Sequence, residues 1–402
     1  MRLLTLACAL ALAGSQAQAA GARWIGSWGA SPAPPLTAPP NAPRLGTPTF
    51  NNQTLVQVVR LSAGGQRLRV RLTNEYGARP LAVGAVRVAV LNKDGSLAPG
   101  SERPLAFSGA ANATIPPGAP LVSDPVALPT KALSRLRISL YLPGDTHGCT
   151  CHMSGSEFVQ VSPGDATRDA GPVSGPETFR AFLSGVEVEN AGRTGPVIVA
   201  FGDSITDGFT STTGANRRWP DRLAERLSAK WPGRPVGVVN AGIGGNRVLS
   251  DGGLAIFGQS ALTRFDRDVL SVPGATHVIV LEGVNDLGAS KTNPPTAEAL
   301  IGGYRQLIAR GHAHGLKMIG ATILPYGGAA YFSEPGEAAR QAVNRWMRTS
   351  REFDAVIDLD AAIRDPARAE RMRADLQSGD WLHPNDAGYR VMGDAVDLSL
   401  FR

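Results

Sequence analysis

The chain is poor in cysteine, with three in 402 residues, and poor in aromatic side chains, at 6%. Three cysteines cannot staple a disulfide-dense scaffold, so the molecule has to stand on apolar cores. Its 43% hydrophobic content is enough for two or three of them at this length. Charge of one sign is also in short supply. Lys plus Arg number 40 against 34 Asp plus Glu, a formal +6, and the basic residues are scattered, with Arg217 and Arg218 among the few neighbours. That pattern excludes the basic stripe of a nucleic-acid-binding protein. Long apolar runs are missing too. Only Met1 to about Gly14 is strongly apolar, and a transmembrane helix needs about 20 such residues.

That first run has the order of an export signal: Arg2 supplies a positive start, Leu3 to Ala13 an apolar middle, and Ala17-Gln18-Ala19 a small-residue cleavage pattern. Residues 1–19 are therefore expected to be removed from a secreted or periplasmic protein. Loss of Arg2 leaves 39 basic against 34 acidic residues, or +5, a balance that identifies no partner. Loss of Cys8 leaves Cys149 and Cys151 in an oxidising compartment. Within His147-Gly148-Cys149-Thr150-Cys151-His152, side chains at i and i+2 of a strand share a face, which permits a strained disulfide. Free thiols are the alternative. Zinc is a weaker one, because its paired cysteines usually stand two to four residues apart and its ligands come from two chain segments.

Beyond the signal, residues 20–50 carry Trp24, Trp28 and a Pro-rich run, a composition for a covering or linking segment with the tryptophans packed rather than meeting substrate. Residues 51–192 alternate apolar and polar side chains. Leu68, Val70 and Leu72 stand between arginines, and Leu136, Ile138, Leu140 and Leu142 repeat every second position. Period two predicts strands with one wet face, and without a sustained helical period the expectation is an antiparallel, jelly-roll-like β-sandwich.

From residue 193 to 402 the pattern changes in kind. Val197 to Phe201, Val236 to Val239, His277 to Leu281, Met318 to Ile323 and Val356 to Leu359 are apolar without alternation, as in parallel strands covered on both faces. Helical stripes such as Leu300, Tyr304 and Leu307 lie between them, giving an α/β/α layering. In such a sheet ligands bind at the carboxyl ends of the strands.

Those ends carry chemistry. Phe201-Gly202-Asp203-Ser204 places a hydroxyl on the turn leaving the first strand. Asn240-Ala241-Gly242-Ile243-Gly244-Gly245-Asn246 follows the second, with glycines that let backbone N–H groups face an anion. Gly283-Val284-Asn285-Asp286 follows the third, and Asp380-Trp381-Leu382-His383 lies near the C-terminus. A serine hydroxyl needs an imidazole to take its proton and a carboxylate to fix that imidazole's tautomer. Ser204, His383 and Asp380 can fill those roles. Ser204 N–H, Gly245 N–H and the Asn285 amide can receive the oxyanion of ester attack. Each motif alone is weak, since Gly-Asp-Ser turns and Asp-x-x-His pairs arise by chance; their conjunction in one domain carries the reading. His277, His312 and His314 read as structural.

With those blocks in that order, residues 196–402 resemble the SGNH or GDSL hydrolases. The resemblance implies a flavodoxin-like three-layer α/β/α fold with Ser204 as nucleophile, His383 as base and then acid, Asp380 as its orienter, and Ser204, Gly245 and Asn285 as the oxyanion hole. Family members often carry Ser-Gly-Asp where this chain has Gly244-Gly245-Asn246, so Gly244 stays open as the donor in place of Gly245. Gly202-Asp203-Ser204-Ile205-Thr206 lacks the second glycine of the α/β-hydrolase elbow, and Arg247 stands where a dinucleotide loop needs a small residue.

The expected function is a secreted serine esterase working without metal or cofactor on small-molecule or polysaccharide esters, short-chain acyl esters of sugars first. Longer acyl chains are the alternative within that class, with Leu254, Ile256 and Phe257, or Tyr331 and Phe332, as acyl-pocket walls. From another class, a non-catalytic carbohydrate-binding or adhesion protein would leave Ser204 and His383 without work.

Overall fold

The computed structural model describes residues 23–38, 46–168, 177–190, 192 and 195–402. The export signal expected over residues 1–19 lies outside them.

The N-terminal half is built from antiparallel strands. In one sheet Arg23–Gly29 pairs with Leu183–Asn190, which pairs with Gly65–Thr73, which in turn takes Pro120–Val122 and Val126–Thr130. In the other, the order is Val159–Pro163, Gln53–Arg60, Arg135–Leu142, Ala85–Leu91 and Arg103–Pro104. Leu68, Val70 and Leu72 of the first sheet and Leu55, Val59 and Ile138 of the second are buried in one core. The period-two pattern therefore does its expected work of turning every second side chain inward. Arg135–Leu142 differs from expectation in one respect: Arg137 and Ser139, which alternation assigns to a wet face, are buried as well. The strand is central in its sheet, and Arg137 is held there by the Glu102 carboxylate 3.3 Å away.

The C-terminal half holds a five-stranded parallel sheet in the order Gly237–Gly242, Val197–Gly202, His277–Leu281, Lys317–Ala321 and Ala355–Ile357. Every residue of Val197–Gly202 is buried, as a strand covered on both faces requires. The helices Trp219–Lys230, Ala297–Ala313, Glu334–Ser350 and Asp386–Ala395 turn Leu223, Leu300, Leu307, Val343 and Met392 into the core around that sheet. The register sets the central strands flush at one edge: Gly202 lies opposite Gly242 on one side and Leu281 on the other. Among the described residues no helix is long and apolar enough to cross a membrane.

The two halves are sewn together by the stretch expected to cover or link them. Arg23–Gly29 is a strand, and Gly26 N–H donates to the Pro273 carbonyl at 2.8 Å. Glycine is needed at 29 for this approach, because a Cβ there would stand 2.6 Å from a Val239 methyl. Ser62 Oγ accepts from Val238 N–H at 2.8 Å, and Arg60 meets Glu225 at 3.1 Å. Trp28 is buried beneath the Arg180 guanidinium, and Trp24 packs against Arg69. Both tryptophans are packing residues.

Candidate active site

Ser204 stands where the chain leaves the buried Val197–Gly202 strand. The Asp203 carboxylate caps the turn by accepting Ile205 N–H at 2.9 Å, and Gly208, at φ 95°, closes it with its N–H on the Ser204 carbonyl. The turn is pressed onto the neighbouring strand, so Gly242 cannot carry a side chain: a Cβ there would lie 2.3 Å from Asp207 N. Burial pushes the Asp203 carboxyl up to about 7, with Asp286 nearby adding to the effect and Ile205 N–H opposing it.

Three side chains far apart in sequence meet at this turn. Ser204 Oγ lies 2.8 Å from His383 Nε2, and His383 Nδ1 lies 2.6 Å from Asp380 Oδ2. Three-residue spacing brings the last two together because the carboxylate builds its own turn. Asp380 Oδ1 accepts the N–H groups of Leu382 and His383, both at 2.9 Å, leaving Oδ2 for the ring. The intervening Trp381 takes φ 60°, a left-handed conformation costly for a bulky residue and held here by the turn around it.

Burial opposes the Asp380 charge, but the hydrogen bonds from the His383 ring and from the two N–H groups carry its pKa down to about 2. Burial takes the His383 ring below its ordinary 6.5, and Asp380 offsets part of that. At neutral pH the ring is therefore an uncharged base. Its Nδ1–H is given to the carboxylate and its Nε2 lone pair faces the serine hydroxyl.

The loop after Gly237–Gly242 comes to the same edge. Gly245 has φ 73°, and a Cβ there would lie 2.6 Å from the Phe257 ring, so glycine is required twice over. The N–H groups of Gly244 and Gly245 have no acceptor among the described residues. The loop is pinned by Asp286, whose carboxylate accepts Val248 N–H at 2.8 Å and Leu249 N–H at 3.0 Å. Asn285 follows the third strand. Its Nδ2 donates to the Asn246 carbonyl at 3.0 Å, which leaves one amide hydrogen, and its Oδ1 accepts from Tyr331 OH at 3.2 Å.

The pattern of the sequence did not reveal what holds this edge together. Arg264, on the short helix Ala261–Phe265, is 1% exposed and places all five N–H donors. They reach Asn246 Oδ1, the Ala241 and Gly202 carbonyls, Asp268 and Glu282, at 2.8 to 3.1 Å. One guanidinium thus ties the ends of three strands to the glycine loop. A single arginine between Thr263 and Phe265, with Arg267 close by, is a weak signal, and nothing local marks it. Tyr331, considered as an acyl wall, instead orients Asn285. Phe257 packs on Gly245 and Gly252, and Phe332 packs against Tyr326 at 5.3 Å.

Cys149 and Cys151 are joined as a disulfide. The His152 ring meets Asp207 and the Ser31 carbonyl. Among the described residues no cluster of His, Cys, Asp and Glu could hold a metal ion. His277 opens a strand beside Phe401, and His312 pairs with Asp354 near the end of its helix.

Residues 200–391 match the GDSL-like lipase/acylhydrolase family. Among solved structures, a carbohydrate acetylesterase family member from Sinorhizobium meliloti is 16% identical, with 51% of this chain and 97% of that one covered at a TM-score of 0.42. An acetyl xylan esterase from Geobacillus stearothermophilus is 20% identical over 50% and 93%, TM-score 0.40. A GDSL-like lipase from Bacteroides thetaiotaomicron is 19% identical over 49% and 84%, TM-score 0.36. No curated protein matches the chain.

Proposed function

We propose that this chain, an ester hydrolase whose residues 200–391 match the GDSL-like lipase/acylhydrolase family, is a secreted serine esterase removing short acyl groups, acetyl above all, from carbohydrate esters. In this reading residues 1–19 are a signal peptide, 51–192 a jelly-roll-like β-sandwich and 193–402 the hydrolase domain. The observation that carries the mechanism is the chain of contacts from Ser204 Oγ through His383 to Asp380, at 2.8 and 2.6 Å.

His383 Nε2 takes the hydroxyl proton as Ser204 Oγ attacks the ester carbonyl carbon, and the ring becomes an imidazolium held by Asp380. Negative charge collects on the former carbonyl oxygen. Ser204 N–H, Gly245 N–H and the free hydrogen of Asn285 Nδ2 are its donors, each worth about 3 to 4 kcal/mol where such donors have been removed elsewhere. The intermediate collapses, the C–O bond to the sugar breaks, and His383 returns the proton to the departing alkoxide. Water then repeats the sequence on the acyl-enzyme, giving its proton to His383 and releasing the carboxylic acid from Ser204.

Short acyl groups are favoured because the aromatic side chains available as walls are already engaged, Phe257 against the glycine loop and Phe332 against Tyr326. Phe209 is exposed and meets the His383 ring edge-on at 4.7 Å, a ready apolar platform for a sugar face. A chain-length series of nitrophenyl esters, run beside acetylated xylan, tests this. Activity is expected to be highest on acetate and on the polysaccharide. Activity rising beyond about eight carbons would contradict the short-acyl assignment.

A further inference from the structure

A second histidine–carboxylate pair grips the other end of the turn that carries Ser204, and it comes from the N-terminal half. His152 lies on the two-residue strand Cys151–His152, paired with Arg180–Ala181, next to the Cys149–Cys151 disulfide. Its Nε2 is 2.9 Å from Asp207 Oδ1 and its Nδ1 is 3.0 Å from the Ser31 carbonyl, with His152 6% and Asp207 2% exposed. Asp207 is the last residue of the Ser204–Asp207 turn, and the contact joins residues 55 apart in sequence.

The partners fix the charge of this ring. A backbone carbonyl only accepts, so Nδ1 carries a hydrogen. A carboxylate only accepts, so Nε2 carries one too. The neutral alternative would leave a proton on a carboxyl beside the more basic imidazole, against the ordinary order of their acidities. His152 is thus a buried imidazolium, and burial without its partner would strip the charge away. Burial works against the charged ring, yet Asp207 outweighs it and holds the pKa above 6.5.

The other charged groups around the pair are Arg180, Arg218 and Glu157. Arg180 is buried with Nη2 on the Gly155 carbonyl at 3.1 Å, Arg218 pairs with Asp221, and Glu157 accepts from Asn216 at 3.1 Å. Arg180 bears on His152, and Asp207 on both arginines. With the charged His152 the two arginines make three positive charges, against the three carboxylates of Asp207, Glu157 and Asp221.

We propose that His152 is a positioning residue for the nucleophile: as an imidazolium clamped between the Ser31 carbonyl and Asp207 it fixes the Ser204 turn from the N-terminal half, so that turnover requires this half in place and this ring charged. The proposal rests on Ser204 being the nucleophile. A group whose folded-state pKa is raised gives its full contribution below the unfolded value and loses it as pH rises through the folded value. The clamp therefore lets go on the alkaline side, where His383 is already a competent base.

The test is the pH dependence of kcat and KM on a nitrophenyl acetate for the full chain, with fluorophosphonate labelling of Ser204 alongside. His152→Ala is expected to lower kcat and the labelling rate about 10- to 100-fold with KM little changed, as displacement of a reacting group does. Asp207→Asn is the sharper variant, because an amide can donate to a neutral Nε2 and restore a complete set of hydrogen bonds. It should keep more of the activity at pH 7 than His152→Ala and lose the alkaline decline seen in the parent. Circular dichroism identifies variants that have not folded, and if His152→Ala is one of them the Asp207→Asn profile decides alone. An alkaline decline unchanged in Asp207→Asn, or a folded His152→Ala with parental kcat, overturns the proposal. Parental hydrolysis by Ser204→Ala would instead overturn the assignment beneath it.

Discussion

At the two ends of the Ser204–Asp207 turn sit two histidine–carboxylate pairs of similar geometry, His383 with Asp380 at 2.6 Å and His152 with Asp207 at 2.9 Å. They differ in what the second ring nitrogen meets. His383 Nε2 faces a hydroxyl, which can donate, so the neutral ring is fully satisfied and free to take a proton. His152 Nδ1 faces a carbonyl, which cannot donate, so that ring is satisfied only when charged. The surroundings push the same way: the His383 pKa lies below 6.5 and the His152 pKa above it. A carboxylate beside an imidazole does not by itself make a catalytic base; in the roles proposed for these two rings, the partner of the far nitrogen separates base from clamp.

The contrast is broken most severely at His383. His383→Ala should lower kcat by about 10⁴-fold or more, because the serine then has no proton acceptor. A smaller loss, of the size assigned to His152→Ala, would erase the distinction between the two rings. Steady-state kinetics on a nitrophenyl acetate reads both variants on one scale.

Next in size is the oxyanion side. Asn285→Ala should reduce kcat by about 10²- to 10³-fold with KM nearly constant, since its free amide hydrogen acts mainly on charge that develops in the transition state. It should also release Tyr331 and the Asn246 carbonyl, which now satisfy the rest of that amide. An equal rise in KM would mean ground-state binding instead, and would move Asn285 from the oxyanion to the substrate.

The third effect falls on stability rather than on rate. Arg264→Met removes the guanidinium shared by Asp268, Glu282, two strand carbonyls and Asn246, leaving Asp268 only its pair with Arg267. Losing one partner of a buried ionic network costs about 3 to 5 kcal/mol, read as a shift in the denaturation midpoint. Part of that cost should be relieved in acid, because burial already raises the carboxyl pKa values of Glu282 and Asp203. A variant as stable as the parent at neutral pH would show that the strand ends do not depend on this strut.

Much of this was legible in the order of residues. Continuous apolar runs marked the parallel strands, as at Val197–Gly202, because a strand covered on both faces has no polar positions to alternate. Alternation marked Gly65–Thr73, whose Leu68, Val70 and Leu72 face one core. The motifs at 204, 245, 285 and 380–383 were visible because each sits within a few residues of a strand end or within one turn.

What stayed hidden depends on contacts between distant segments. The strand Arg23–Gly29 was masked by the prolines that follow it. Arg137 broke the alternation because its partner Glu102 comes from a distant loop, just before the strand Arg103–Pro104. Arg264 and Tyr331 act on the site across 18 to 62 residues of sequence. His152 looked like part of a Cys-His cluster until Asp207 and Ser31 stood on either side of it.

The most direct measurement is the rate and site of fluorophosphonate labelling as a function of pH, followed by intact mass and peptide mapping and set beside ester hydrolysis. We predict one adduct, on Ser204, with labelling and kcat/KM declining together in acid around a midpoint below 6.5, where His383 gains its proton, and neither activity in Ser204→Ala. An adduct on another residue, a rate flat down to about pH 4, or parental hydrolysis by Ser204→Ala would contradict the account.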